Sequence, residues 1–150
     1  MAAFKLIVLL GIFCCSSFVH GQTTHELYER MIDDIWSSSD DNDDGIFSQF
    51  ELIKTFSGYD TNGDGTITRH EYVNHVQVPS EHVHRYLHAL FDIFDVNGDH
   101  HFNHHDYHGL YTKMDKDCDG IVTKADFYKF WHEVLHKTSH IHHNGLYLHN

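Results

Sequence analysis

The stretch DTNGDGTITRHE, Asp60 to Glu71, puts oxygen-bearing side chains at its first, third and fifth positions, glycine at the sixth and glutamate at the twelfth. Asp60, Asn62 and Asp64 alternate, so their side chains can converge on one point as the backbone turns around it. Thr66 adds a backbone carbonyl at position seven, and Thr68 a hydroxyl at position nine. A tight turn at Gly65 needs φ > 0, which glycine adopts without steric cost. Ile67, at position eight, suits a buried site from which the backbone can pair with a second loop. An all-oxygen cage of this kind fits a hard divalent cation, which takes six to eight oxygens at about 2.3–2.6 Å.

The pattern recurs outward from this segment. DDNDDGIFSQFE (40–51), DVNGDHHFNHHD (95–106) and DKDCDGIVTKAD (115–126) align with it over all twelve positions. Acid or amide side chains occupy positions one, three and five throughout. Position six is glycine except at His100, and position eight is Phe47, Ile67, Phe102 and Val122. Helical spacing precedes the loops: Leu27, Met31 and Ile35 beside Tyr28, Ile32 and Trp36, and Val83, Leu87, Leu90 and Phe94 after the start signal Pro79-Ser80. Trp36, Phe56, Tyr59, Phe91, Phe94, Tyr111 and Met114 stand four or one residue before a loop and read as core.

On these residues the chain resembles the EF-hand family over roughly 25–135. Two full matches to D-x-[DN]-x-[DN]-G-x₅-E and two near matches are not expected of solvated turns alone. The resemblance implies an all-α array of helix–loop–helix units that bind Ca2+. In that family successive loops begin about three dozen residues apart. Loops two and three comply, starting 35 residues apart at Asp60 and Asp95. Loops one and two start only 20 apart, as do loops three and four. The segment from Gln49 to Tyr59 therefore has room for one helix, shared as the exit of loop one and the lead into loop two. Eleven residues span about 16 Å, too far for those loops to bridge. His104 to Met114 is shared in the same way. The spacing thus predicts a short β-bridge between loops two and three, through Ile67 and Phe102. Loops one and four are left free to pair through Phe47 and Val122.

The candidate ligands follow by position. Loop one offers Asp40, Asn42, Asp44, the Ile46 carbonyl, Ser48 and Glu51. Loop two offers Asp60, Asn62, Asp64, Thr66, Thr68 and Glu71. Loop three offers Asp95, Asn97, Asp99, the His101 carbonyl and Asp106, with His100 in the glycine position. It is read either as a calcium site or as a structural support for loop two. Loop four offers Asp115, Asp117, Asp119, the Ile121 carbonyl, Thr123 and Asp126. Asp126 is one methylene shorter than glutamate, which favours weaker calcium binding there, or Mg2+ with its tighter octahedral shell.

The first residues read differently. MAAFKLIVLLGIFCCSSFVHGQ has Lys5, an apolar run from Leu6 to Cys15 and small residues around Gly21, the layout of a secretory signal peptide. The run is short against the ~20 residues of a membrane span. The expected organisation is a signal peptide at 1–21, an EF-hand domain at 22–136 and a His-rich flexible tail at 137–150. Cleavage removes Cys14 and Cys15, leaving Cys118 with no intramolecular disulfide partner. It also removes Lys5, taking the net charge of −12 one unit lower. So acidic a chain disfavours nucleic acid and anionic membrane as partners and favours cations, basic matrix proteins or a mineral surface. Among extracellular modules, competent calcium sites remain loaded and contribute folding free energy.

Eighteen histidines are the second unusual feature. His84/His88, His101/His105, His104/His108, His132/His136 and His136/His140 are four apart, and HIHH fills 140–143. Such pairs share a helical face and can chelate Zn2+ or Cu2+. A His-rich surface also produces these spacings by density alone. Protonation of the histidines would offset the acidic charge below neutral pH. No nucleophile–base arrangement and no phosphate loop are visible, so catalysis is not expected. A sensor of the calmodulin kind, with a Met-rich groove, is disfavoured because the chain holds only three methionines, Met1 included. The remaining readings are an extracellular calcium buffer or matrix component, including a biomineralisation role, a zinc or copper carrier on an EF-hand scaffold, and a calcium-dependent adaptor.

Overall fold

The computed structural model describes residues 24–75 and 81–146. The signal peptide expected at 1–21, the Pro79-Ser80 start signal and residues 147–150 lie outside the described residues, as do the side chains of Thr24, of Leu27 (expected in the core), of His82 and of 140–146. The described chain is mostly helical: α1 (Thr24–Ser39), α2 (Gln49–Ser57), α3 (Arg69–His75), α4 (Glu81–Phe94), α5 (His104–Met114) and α6 (Lys124–Leu146). Two short strands, β1 (Ile67–Thr68) and β2 (His101–Phe102), complete it. Among the described residues no helix is long and apolar enough to cross a membrane.

Helices α2 and α5 begin and end for local reasons. Ser48 caps α2 by accepting the Glu51 N–H at 3.2 Å, while Glu51 accepts the Ser48 N–H at 2.8 Å. Asn103 and Asp106 make the same reciprocal capping box at the start of α5. Two orphan amides are thereby satisfied at each N-terminus. Gly58 ends α2, and the Tyr59 N–H bonds back to the Phe56 carbonyl at 2.9 Å. With nine residues, α2 is about 13 Å long, slightly shorter than the eleven-residue rod expected from Gln49 to Tyr59. In the interior of α5, Gly109 is required by a close approach. A Cβ there would stand 2.8 Å from Val96 Cγ1.

The amphipathic faces meet in one continuous core. Helix α6 packs along α1 and α4, α2 packs on α5, and α3 on α4. Met31, Ile32, Ile35 and Trp36 are buried on α1, and Val83, Leu87, Leu90 and Phe94 on α4. Trp36, Phe56, Tyr59, Phe91, Phe94, Tyr111 and Met114, which lead into the loops, are all buried. At one end Phe56 packs edge-on against Phe94 and Phe102, at centroid distances of 5.2 and 4.7 Å. At the other, Trp36 and Phe47 both meet Phe127 at 5.2 Å. Phe94 and Trp131, 6.4 Å apart, join the two ends.

Strands β1 and β2 pair antiparallel, with Ile67 opposite Phe102 and Thr68 opposite His101. At the far ends of α2 and α5, Ile46 bridges Thr123, and the Phe47 N–H donates to the Val122 carbonyl at 2.8 Å. Each short pairing therefore joins loops that do not share a helix, because α2 holds loops one and two apart and α5 holds loops three and four apart.

The C-terminal segment departs from the sequence reading. Helix α6 continues to Leu146, ten residues past the boundary drawn at 136. Nothing in KTSHIHHN breaks a helix before Gly145, and Thr138 is buried, its hydroxyl donating to the Val134 carbonyl at 2.9 Å.

Candidate metal centres

The four dodecapeptides adopt one local construction. The aspartate at position one gathers backbone amides from the far side of the turn. Asp40 Oδ2 accepts the Gly45 N–H at 3.0 Å, and Asp60 Oδ2 the Gly65 N–H at 2.9 Å. Asp95 Oδ2 accepts the His100 N–H at 2.9 Å, and Asp115 Oδ2 the Gly120 N–H at 2.9 Å. Position three accepts from the amide of position five: Asn42 from Asp44, Asn62 from Asp64, Asn97 from Asp99 and Asp117 from Asp119. Position five does the same two residues on, with Asp44, Asp64, Asp99 and Asp119 accepting from Ile46, Thr66, His101 and Ile121. These bonds turn the short side chains inward.

The carboxylate at position twelve closes each loop. Glu51 bonds the Asp41 N–H through one oxygen and the Ser48 N–H through the other, both at 2.8 Å. Glu71 spans Thr61 and Thr68 in the same way. Four donors from those two threonines, the Thr68 amide first, hold its carboxyl far below the usual range, at about 2. Asp106 reaches Val96 and Asn97 with one oxygen and Asn103 with the other, and is fully buried. Asp126 bonds the Thr123 hydroxyl and amide, which lower its pKa in that order of importance, and Lys129 approaches it to 4.0 Å.

Electrostatics makes these loops unusual for a folded interior. Asp40, Glu51, Glu71, Asp95, Asp106 and Asp126 are all buried. Among the described residues no lysine or arginine forms an ion pair with Asp40, Glu51, Glu71, Asp95 or Asp106. Backbone hydrogen bonds compensate part of the desolvation, but clustered anions without a counter-charge are costly. The donor set is hard oxygen throughout. Carboxylate oxygens of Asp95, Asp99 and Asp106 lie within 4.8 Å of one another, as do those of Asp115, Asp117 and Asp119. The residues at loops three and four therefore fit a hard divalent cation, while among the described residues the carboxylates of loops one and two do not converge to that extent.

Two details escape the sequence reading. Asn103, at position nine of loop three, was not among the expected ligands, yet its side chain occupies the place that Ser48, Thr68 and Thr123 take in the other loops. Alignment by position was the signal that could have found it. The left-handed conformation is also needed twice per loop. His100 takes it at position six with φ 67°, as its place in the pattern requires. Position four takes it as well, at Asp43 (φ 56°) and Cys118 (φ 61°), where two other loops have glycine. Cys118 is exposed.

The carbonyl candidates Ile46, Thr66, His101 and Ile121 all stand at position seven, where each loop turns toward its paired segment. The His101 ring bonds the Asp99 carbonyl at 2.8 Å. Of the histidine pairs, His84 and His88 have ring centroids 4.7 Å apart. Burial, then His84 and Arg69, lowers the His88 pKa. The pair His136/His140 and the run at 140–143 extend into side chains outside the described residues.

A sequence-family model described as EF hand matches residues 52–76, which contain loop two, most of α2 and all of α3. No curated protein and no solved structure shows significant similarity to the chain. The match covers one of the two dodecapeptides that carry the full donor pattern, and it supports an EF-hand, calcium-binding character for that segment.

Proposed function

We propose that this is a secreted calcium-binding protein, acting outside the cell as a calcium buffer or matrix component, with biomineralisation as one setting. One observation carries the calcium reading: buried carboxylates gather at both ends of the molecule with hard oxygen donors and almost no cationic side chains. A bound divalent ion supplies the missing charge. In this reading Asp40, Asn42, Asp44, Ser48 and Glu51 hold one ion and Asp60, Asn62, Asp64, Thr68 and Glu71 another. Asp95, Asn97, Asp99, Asn103 and Asp106 hold a third, since Asp106 engages its loop as the glutamates do. Loop four, with the shorter Asp126 and Lys129 nearby, is the weakest calcium site and the one most open to Mg2+. Export is supported by the signal-like 1–21 segment, and a matrix or mineral partner by the net charge of −12.

The test is calorimetry and near-ultraviolet circular dichroism on chelator-stripped protein. Calcium should give heat and a sharper aromatic signal from the buried Trp36 and Trp131. If neither appears, the reading is wrong.

A calcium-dependent adaptor has one observation in its favour. Phe50 and Ile53, one turn apart on α2, are 73% and 45% exposed. Retention of a partner on immobilised protein in calcium but not in chelator would favour it, and loss of that retention in Phe50→Ser would locate it.

A further inference from the structure

Helices α1 and α6 run antiparallel, and their polar edges meet in a ladder. Asp33 accepts from the Lys124 ammonium at 3.0 Å and from the Tyr128 hydroxyl. One turn earlier on α1, Glu29 Oε1 lies 2.7 Å from His132 Nε2, one turn later on α6. Each rung steps four residues in opposite directions, so extending the same step would pair His25 with His136. His25 Nε2 is 3.8 Å from the same Glu29 oxygen, and its ring centroid is 5.8 Å from that of His132.

We propose that His25, Glu29 and His132 form a transition-metal site for Zn2+, with His136 placed to complete the coordination. Two imidazole nitrogens flank one carboxylate oxygen, a donor set that prefers zinc or copper to calcium. Tetrahedral ligands at about 2.0–2.1 Å from zinc lie about 3.3 Å from each other. The two distances to Glu29, 2.7 and 3.8 Å, bracket that separation, whereas the His25 and His132 nitrogens do not come within 4.8 Å of each other. Closure needs the His25 ring to swing toward His132, and at 76% side-chain exposure nothing confines it. His132 is only 33% exposed and stands ready as the inner ligand. The site is separate from the oxygen loops: Glu29 is eleven residues, or about 16 Å of helix, from Asp40. The bound ion would staple the first turns of α1 to α6, joining Glu29 and His132, which are 103 residues apart in sequence.

The experiment uses the full chain in saturating calcium, titrated with Zn2+ by calorimetry and followed by thermal denaturation. The wild type should show one Zn2+ equivalent tighter than the diffuse histidine background, with a rise in Tm. Co2+ in its place should give the intense visible bands of a tetrahedral site. His25→Gln changes an exposed side chain and should leave the fold intact while losing the tight equivalent, the Tm rise and the Co2+ bands. Glu29→Gln, with both imidazoles retained, should weaken zinc in the same direction. His84→Gln/His88→Gln, which removes the pair on α4, should change none of the three readouts. The proposal is overturned if His25→Gln and Glu29→Gln keep the tight equivalent, or if the α4 variant is the one that loses it.

Discussion

Glu71 offers the sharpest single perturbation, because its carboxylate holds both ends of loop two in the calcium-free chain. Its oxygens accept from the Thr61 N–H at 3.2 Å, the Thr61 hydroxyl at 2.9 Å, the Thr68 N–H at 2.9 Å and the Thr68 hydroxyl at 2.8 Å. Glu71→Gln keeps the shape but removes the charge and turns an amide N–H₂ toward two of these donors. The bonds, led by the Thr68 amide, depress the carboxyl from 4.5 to about 2. At about 1.4 kcal/mol per pKa unit that is an upper bound of about 3.5 kcal/mol. Water on the open side of the loop screens part of it, leaving about 1–2 kcal/mol. The sign is set by linkage. The folded pKa lies below the unfolded one, so the stabilisation is complete above about 4.5 and disappears as pH falls toward about 2. Urea unfolding in chelator should show Glu71→Gln weaker by that amount at neutral pH. The gap should close step by step on acidification through the carboxylate range. Equal stability at neutral pH, or a gap that ignores pH, would refute the reasoning.

Three further expectations concern the backbone and the buried rings. Gly65 has φ 82° and no atom within 4 Å of an added Cβ, so Gly65→Ala should cost about 1–2 kcal/mol through the backbone alone. His100 already bears such strain at φ 67°, so His100→Gly should move urea stability the other way, by less than about 1 kcal/mol after glycine's unfolded-state entropy; a loss in both variants would mean that handedness is not the determinant. Gly109→Ala gains about 1 kcal/mol of helix propensity. It should nevertheless destabilise, since its Cβ meets Val96 Cγ1 at 2.8 Å, and Val96→Ala in the same chain should recover the loss in a thermal melt. Burial raises the pKa of Tyr59, Tyr72, Tyr107 and Tyr128, that of Tyr107 to about 12. Absorbance titration of the folded chain should therefore find these four tyrosines ionising above the ordinary tyrosine range, and the delay should vanish in denaturant. The retained protons mean that stability falls as pH rises above the unfolded value.

The parts of the fold legible in the sequence are those written in short-range periodicity. The aromatic lead-ins announced themselves by their place before each loop, and Trp36, Phe56, Phe91 and Tyr111 are buried accordingly. The capping boxes Ser48/Glu51 and Asn103/Asp106 fall on positions nine and twelve, so one spacing serves both a helix start and a loop closure. The end of α6 was less legible, because HIHH resembles a solvated tail while nothing in it opposes a helix. Position four was legible only by alignment: Gly63 and Gly98 mark it as a positive-φ site, whereas Cys118 by itself gives no such hint.

The sequence by itself determined the dodecapeptides, their hard-oxygen donors and, through the 20-residue spacing, the separation of loop one from loop two and of loop three from loop four. Local spacing suffices there because a helix of nine to eleven residues is a rod of nearly fixed length. Only the tertiary structure decided that Val96 closes on Gly109, and that His25, Glu29 and His132 share one polar edge of the α1–α6 seam. Those contacts depend on how two helices distant in the chain are rotated and slid against each other. That choice is made by the packing of Trp36, Phe127 and Trp131 beneath them, and no spacing within either helix encodes it.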